Sequence, residues 1–226
     1  AHFFVMWAFF LLATVYLEAG VALLFGIETH VPILQTWGPV GFVQDFIAVM
    51  CAVGLLVFAG IRIKNAPKTQ GRRSRFFGSH LGGAWLILFM IFNVIWTMFF
   101  FRGTLAALET VTGEHYFPFG KAAFGSYATG LLLDGFSEGT LKVLASVGLL
   151  AHIGIALVFL VVVVNSKHLH IFLAPLNVMF KRRPNGLGAA QPVLKPDGEI
   201  LDFEEADPDE DLFGRSRIED FTWKGF

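Results

Sequence analysis

Residues 149–175 read LLAHIGIALVFLVVVVNSKHLHIFLAP, and this stretch decides the fold class. Between Leu149 and Val164 the only side chain that is neither apolar nor glycine is His152. About 20 apolar residues cross a bilayer core as a helix. Only helices and closed barrels satisfy every backbone polar group in lipid. A barrel strand alternates apolar with polar residues, and this run does not, so it predicts a helix. The four consecutive valines favour strand locally, but the length of the run and its context override them.

Three further runs of the same kind lie upstream, giving four predicted spans: 3–25, 40–63, 77–101 and 141–164. The composition agrees. The chain is 55% hydrophobic with mean hydropathy +0.63, too apolar for an ordinary soluble domain. The expected fold is all-α: a transmembrane bundle of four spans followed by a polar tail.

Charge orients the bundle. Residues 62–75, RIKNAPKTQGRRSR, hold six basic residues and no acid. Lys167, Lys181, Arg182 and Arg183 follow the fourth run, on the same side if there are four spans. The positive-inside rule makes that side cytoplasmic. The loops around 26–39 and 103–140 then face outward, and the longer one has room for a short interfacial helix. The expected location is a cell membrane, crossed several times. Ala1 enters a span with no basic region before it, so it is not a signal peptide; the chain reads as a fragment.

Composition divides the chain into a membrane domain, 1–180, and a polar linker, 181–226. The linker carries seven basic and eleven acidic residues and too few apolar ones to fold alone. It ends in IEDFTWKGF, where aromatic residues return, as on the approach to another domain. The net charge of −1 is uninformative beside this asymmetry. Nothing points to nucleic acid. The single cysteine, Cys51, permits no intrachain disulfide and reads as a packing residue.

Ionisable side chains inside spans are functional candidates, because lipid tolerates them poorly. His152 and His170 are 18 residues apart. On a continuous helix that is about five turns, which puts both on one face roughly 27 Å apart. A haem b needs imidazoles on facing helices at matching depth, so the pair suggests ligands to two haems. His168 would be rotated roughly 160° from that face. His2 matches His170 in depth and is its expected partner on one inner haem. His80 is the favoured partner of His152, with His30 the alternative. His30 and His115 otherwise read as loop residues. Gly78, Gly82, Gly148 and Gly154 suit either a porphyrin edge or close helix packing. Glu18 lies inside the first span and is a candidate for proton exchange with a quinone or for a structural hydrogen bond; Gln44 and Asp45 are weaker candidates for the same role.

HIGIALVFLVVVVNSKHLHIFLAP resembles the last helix of the membrane cytochrome b subunit, the gamma subunit, of respiratory nitrate reductase. The resemblance implies haem ligands at His152 and His170, with Phe172 and Pro175 after them. AHFFVMWAFFLL is similar to the family's other ligand helix, with His2 at its inner ligand position. The family has a second ligand ten residues further on, where this chain has Leu12. SRFFGSHLGGAWLILFMIF, SKHLHIFLAPLNVMFKR and IEDFTWKGF resemble the membrane domain of actinobacterial iron–sulfur reductases. Those are similar to heterodisulfide reductase and to a membrane dehydrogenase for electron-transfer flavoprotein.

What the resemblance implies is the membrane part of a quinone-linked oxidoreductase, not catalytic alone. Electrons would pass between an iron–sulfur domain and menaquinone or another quinone through one or two haems b. The [4Fe-4S] clusters would belong to a domain downstream of residue 226, with electron-transfer flavoprotein as a possible partner. Two other classes compete: a proton or ion transporter using Glu18 and the histidines, and a non-redox anchor. The sequence has no evident internal repeat of the transporter kind, and an anchor leaves His152 without a purpose.

Overall fold

A computed structural model describes residues 1–79, 81–181, 201, 202 and 204. Every regular element among the described residues is helical. The helices are α1 (His2–Leu11), α2 (Ala13–Phe25), α3 (Gly38–Lys64), α4 (Pro67–Gln70), α5 (Leu81–Thr112), α6 (Phe124–Leu132), α7 (Glu138–Val164) and α8 (His170–Met179). The chain forms two compact units, Ala1–Ile171 and Phe172–Phe226.

Four segments of the first unit are long and apolar enough to cross a membrane: His2–Phe25, Gly38–Arg73, Leu81–Thr112 and Glu138–Val164. Leu24, Leu56, Phe89, Leu157 and Val161 are all exposed. A water-soluble domain rarely shows so much apolar surface; lipid accepts it. The protein is a multi-pass membrane protein.

Local chemistry explains some of the boundaries. Pro39 sits in the first turn of α3, where its missing N–H is not needed. The Ser137 hydroxyl accepts the Thr140 N–H and caps α7. The third span differs from its predicted limits. It starts at Leu81, after a turn that includes Gly78 at φ 74°, and runs past Phe101 to Thr112. Arg102 therefore lies within the helix rather than beyond it. The connection between the third and fourth spans contains a short helix, as expected, and α6 packs directly against α5. Gly103 and Gly130 make that contact: a Cβ on Gly130 would lie 2.9 Å from both Ala106 Cβ and the Gly103 carbonyl oxygen.

The expectation of one unbroken helix from His152 to His170 is corrected. α7 stops at Val164, and a 3-10 turn, Lys167–Leu169, precedes α8. Asn165 Nδ2 donates to the Val161 carbonyl at 2.8 Å. Ser166 Oγ donates to the Val163 carbonyl and accepts the His168 N–H. Short polar side chains thus compete for the backbone groups that would continue the helix. Neither the shared face nor the 27 Å separation follows from helical geometry once the helix is broken.

The core has three apolar clusters. One joins α2, α5, α6 and α7 through Ala19, Leu105, Tyr127 and Leu149. A second joins α1, α3 and α5 through Ala8, Cys51 and Met98. The third joins α5 and α7 through Ile87, Met90, Phe159 and Val163. Cys51 is fully buried in the second, the packing role expected of it.

In the second unit α8 continues to Met179 with Pro175 inside it, and the Glu204 N–H donates to Asp202 Oδ1 at 2.9 Å. Of the predicted linker, residues 181, 201, 202 and 204 are described.

Candidate functional site

Buried polar side chains concentrate where the apolar clusters meet. On α2, Val15 belongs to one cluster and Ala19 to another, and Tyr16 and Glu18 lie between them. On α5, Met98 and Phe101 divide in the same way, with Thr97 and Arg102 on either side of the seam. On α7, His152 lies between Leu149 and Phe159. The result is a polar layer across the bundle.

His152 is 1% exposed. Its Nδ1 lies 3.1 Å from Thr97 Oγ1, and the Tyr16 ring stacks on its face with centroids 5.0 Å apart. Thr97 bears on the tautomer. A hydroxyl has one proton to donate, and Thr97 Oγ1 lies 2.7 Å from the Asn93 carbonyl oxygen, which can only accept. With that proton on Asn93, Nδ1 is the donor to Thr97 and the Nε2 lone pair is left over. Nε2 is buried and has no hydrogen-bond partner among the described residues. A buried polar atom is normally paired. An imidazole fixed through Nδ1–H with a bare Nε2 is the arrangement that metal-ligating histidines adopt.

The rest of the layer is a charge cluster centred on Arg102. Its Nη2 donates to Glu18 in an ion pair and to Gln44 Oε1 at 2.7 Å. Its Nη1 lies 3.5 Å from Asp45 Oδ1, and its guanidinium covers the Phe119 ring at 4.9 Å. Gln44 Nε2 donates to Glu18 Oε1 and to Thr14 Oγ1, both at 2.8 Å. Asp45 accepts the Ser126 N–H at 2.7 Å and the Ser126 hydroxyl at 3.0 Å. Ser126 is in the first turn of α6, so a carboxylate from α3 caps that helix. Glu18, Asp45 and Arg102 are each at most 3% exposed. The cluster ties α2, α3, α5 and α6 together, and two carboxylates share one guanidinium.

The other predicted residues lie elsewhere. His2 is exposed, its ring edge-on to Phe58 at 6.5 Å. His170 is exposed and its ring lies 6.1 Å from that of His168. His30 donates from Nε2 to the His115 carbonyl at 3.0 Å, and the two rings meet at 5.8 Å. His115 Nδ1 lies 3.5 Å from Glu109 Oε2. His80 lies outside the described residues. Leu12, at the family's second ligand position, is buried and offers no ligating atom. Of the glycines, Gly148 packs against Phe100 and Phe101 of α5, while Gly82, Gly83 and Gly154 face open space.

Sequence reasoning missed Arg102, Thr97 and Tyr16. No protein family model, curated protein or solved structure matches the chain.

Proposed function

We propose that the chain is the membrane part of a quinone-linked electron-transfer system, in which His152 would ligate a haem b. The observation that carries this reading is the buried Nε2 of His152, bare while Nδ1 is held by Thr97. His152 would supply one ligating nitrogen, at an Nε2 that neighbouring protein atoms enclose in this structure. Tyr16 covers the imidazole face, not the ring edge along which Nε2 points, and so leaves coordination possible. Haem, when bound, supplies reversible one-electron chemistry.

The chain's own residues do the rest. Thr97 fixes the tautomer and the ring orientation of His152. The apolar clusters around the layer exclude water. Within this reading Glu18 is the carboxylate that exchanges a proton with the quinone, supported by the excess of carboxylates over guanidinium around Arg102. His2 and His170 are proposed as ligands to an inner haem, and His80 as the partner of His152. The resemblance to actinobacterial iron–sulfur reductases supports an iron–sulfur domain as the redox partner, with the polar tail leading to it on the cytoplasmic side.

The test is a reduced-minus-oxidised absorption spectrum of the purified protein, recorded before and after addition of a short-chain menaquinol. A b-type haem band that the quinol reduces is the expected result. A protein without haem would overturn the reading.

A further inference from the structure

The loop that follows α3 is built rather than loose. Ser74 Oγ donates to the Asn65 carbonyl and accepts the Phe76 N–H at 3.1 Å. Gln70 Nε2 donates to the Lys64 carbonyl at 2.9 Å. Asn65 Nδ2 donates to the Ile61 carbonyl at 2.8 Å. These bonds hold residues 74–76 against the last turn of α3, where Arg62 lies.

Two guanidinium groups meet on one ring there. Arg62 Cζ is 4.8 Å from the Phe76 centroid and Arg75 Cζ is 5.2 Å from it. One ring quadrupole offsets little of the repulsion between two cations. No acid lies anywhere in residues 62–75. Arg62 Nη1 is buried without a hydrogen-bond partner among the described residues. An unmet buried donor is costly, more so on a charged group. Among the described residues the pair has no anion.

We propose that Arg62 and Arg75 clasp the phosphodiester of an anionic lipid. A tetrahedral oxyanion accepts paired N–H bonds from a guanidinium fork. Free phosphate would offer the same oxygens, but the surroundings favour the lipid. Ile63, beside Arg62 in the second span, and Phe77, between the second and third spans, are exposed apolar side chains. Acyl chains cover such surface and free phosphate does not. Phosphatidylglycerol has the required charge, whereas phosphatidylcholine carries its own cation.

The experiment is native mass spectrometry of the purified chain titrated with phosphatidylglycerol or phosphatidylcholine. The variants are R62Q/R75Q, R75Q alone and R72Q/R73Q. The last removes equal charge from exposed residues of the same loop, and R75Q alters an exposed side chain, so its fold is retained. The expected result is preferential retention of phosphatidylglycerol, weakened about tenfold in R75Q and further in the double clasp variant, the scale of one charge-assisted contact. R72Q/R73Q should keep most of the binding. Equal loss in R72Q/R73Q would mean diffuse attraction and would overturn the clasp. So would unchanged binding in R75Q, equal retention of the two lipids, or displacement of the lipid by millimolar inorganic phosphate.

Discussion

Thr97 Oγ1 lies 3.1 Å from His152 Nδ1 and joins α5 to α7 at the centre of the bundle. The same hydroxyl reaches the Asn93 carbonyl, so the threonine orients the imidazole rather than merely contacting it. Thr97→Val keeps the shape and removes the acceptor. Losing the partner that orients a ligating histidine typically weakens binding about 10–100-fold. Haem affinity of the variant, measured by titrating haem-depleted protein, should fall by that order while the helical circular dichroism stays unchanged. Unaltered affinity would show that Thr97 does not set up the ligand.

Arg102 holds Glu18, Gln44 and Asp45 from two other helices. Arg102→Met leaves two buried carboxylates without their cation. Removing one partner of a buried ion pair costs about 3–5 kcal/mol. The thermal unfolding temperature in detergent should drop sharply, and R102M/E18Q should recover part of the loss. Arg102→Lys should also destabilise, because an ammonium group cannot span the same acceptors.

The approach of α5 to α6 depends on missing side chains. Gly130→Val places a branched side chain against Ala106 and the Gly103 carbonyl. Overpacking of this kind costs about 1–3 kcal/mol or more, and the unfolding temperature reports it. Gly154→Ala is the control: nothing lies within 4 Å of its Cβ position, so stability should barely change.

Thr69 and Gly113 flank α5 at its two ends. If α5 crosses the bilayer, single cysteines there, in a chain whose Cys51 is replaced by Ala, face opposite sides. An impermeant thiol reagent applied to intact cells should label position 113 and spare position 69. Labelling of both would contradict the topology.

The four spans are legible in the sequence because lipid imposes length and apolarity on them. Glu18, Gln44 and Asp45 are legible too, as polar groups where lipid makes them costly. Arg102 escapes a reading by hydropathy because the unbroken apolar run ends at Phe101. Its signal is the helical pattern of residues 103–112, GTLAALETVT, which continues without a proline or a turn. The break after Val164 is also written locally, in Asn165 and Ser166, whose side chains bond backward to the helix. Thr97 and Tyr16 give no such signal. Their roles come from tertiary contact with His152, which no spacing within one helix encodes.

The proposed function turns on a haem held at His152 Nε2. Haem per chain, measured side by side in wild-type and His152→Ala protein by the pyridine haemochrome method, decides it. The variant should fold and carry one haem fewer per chain than the wild type. Equal haem content in the two proteins would rule the assignment out.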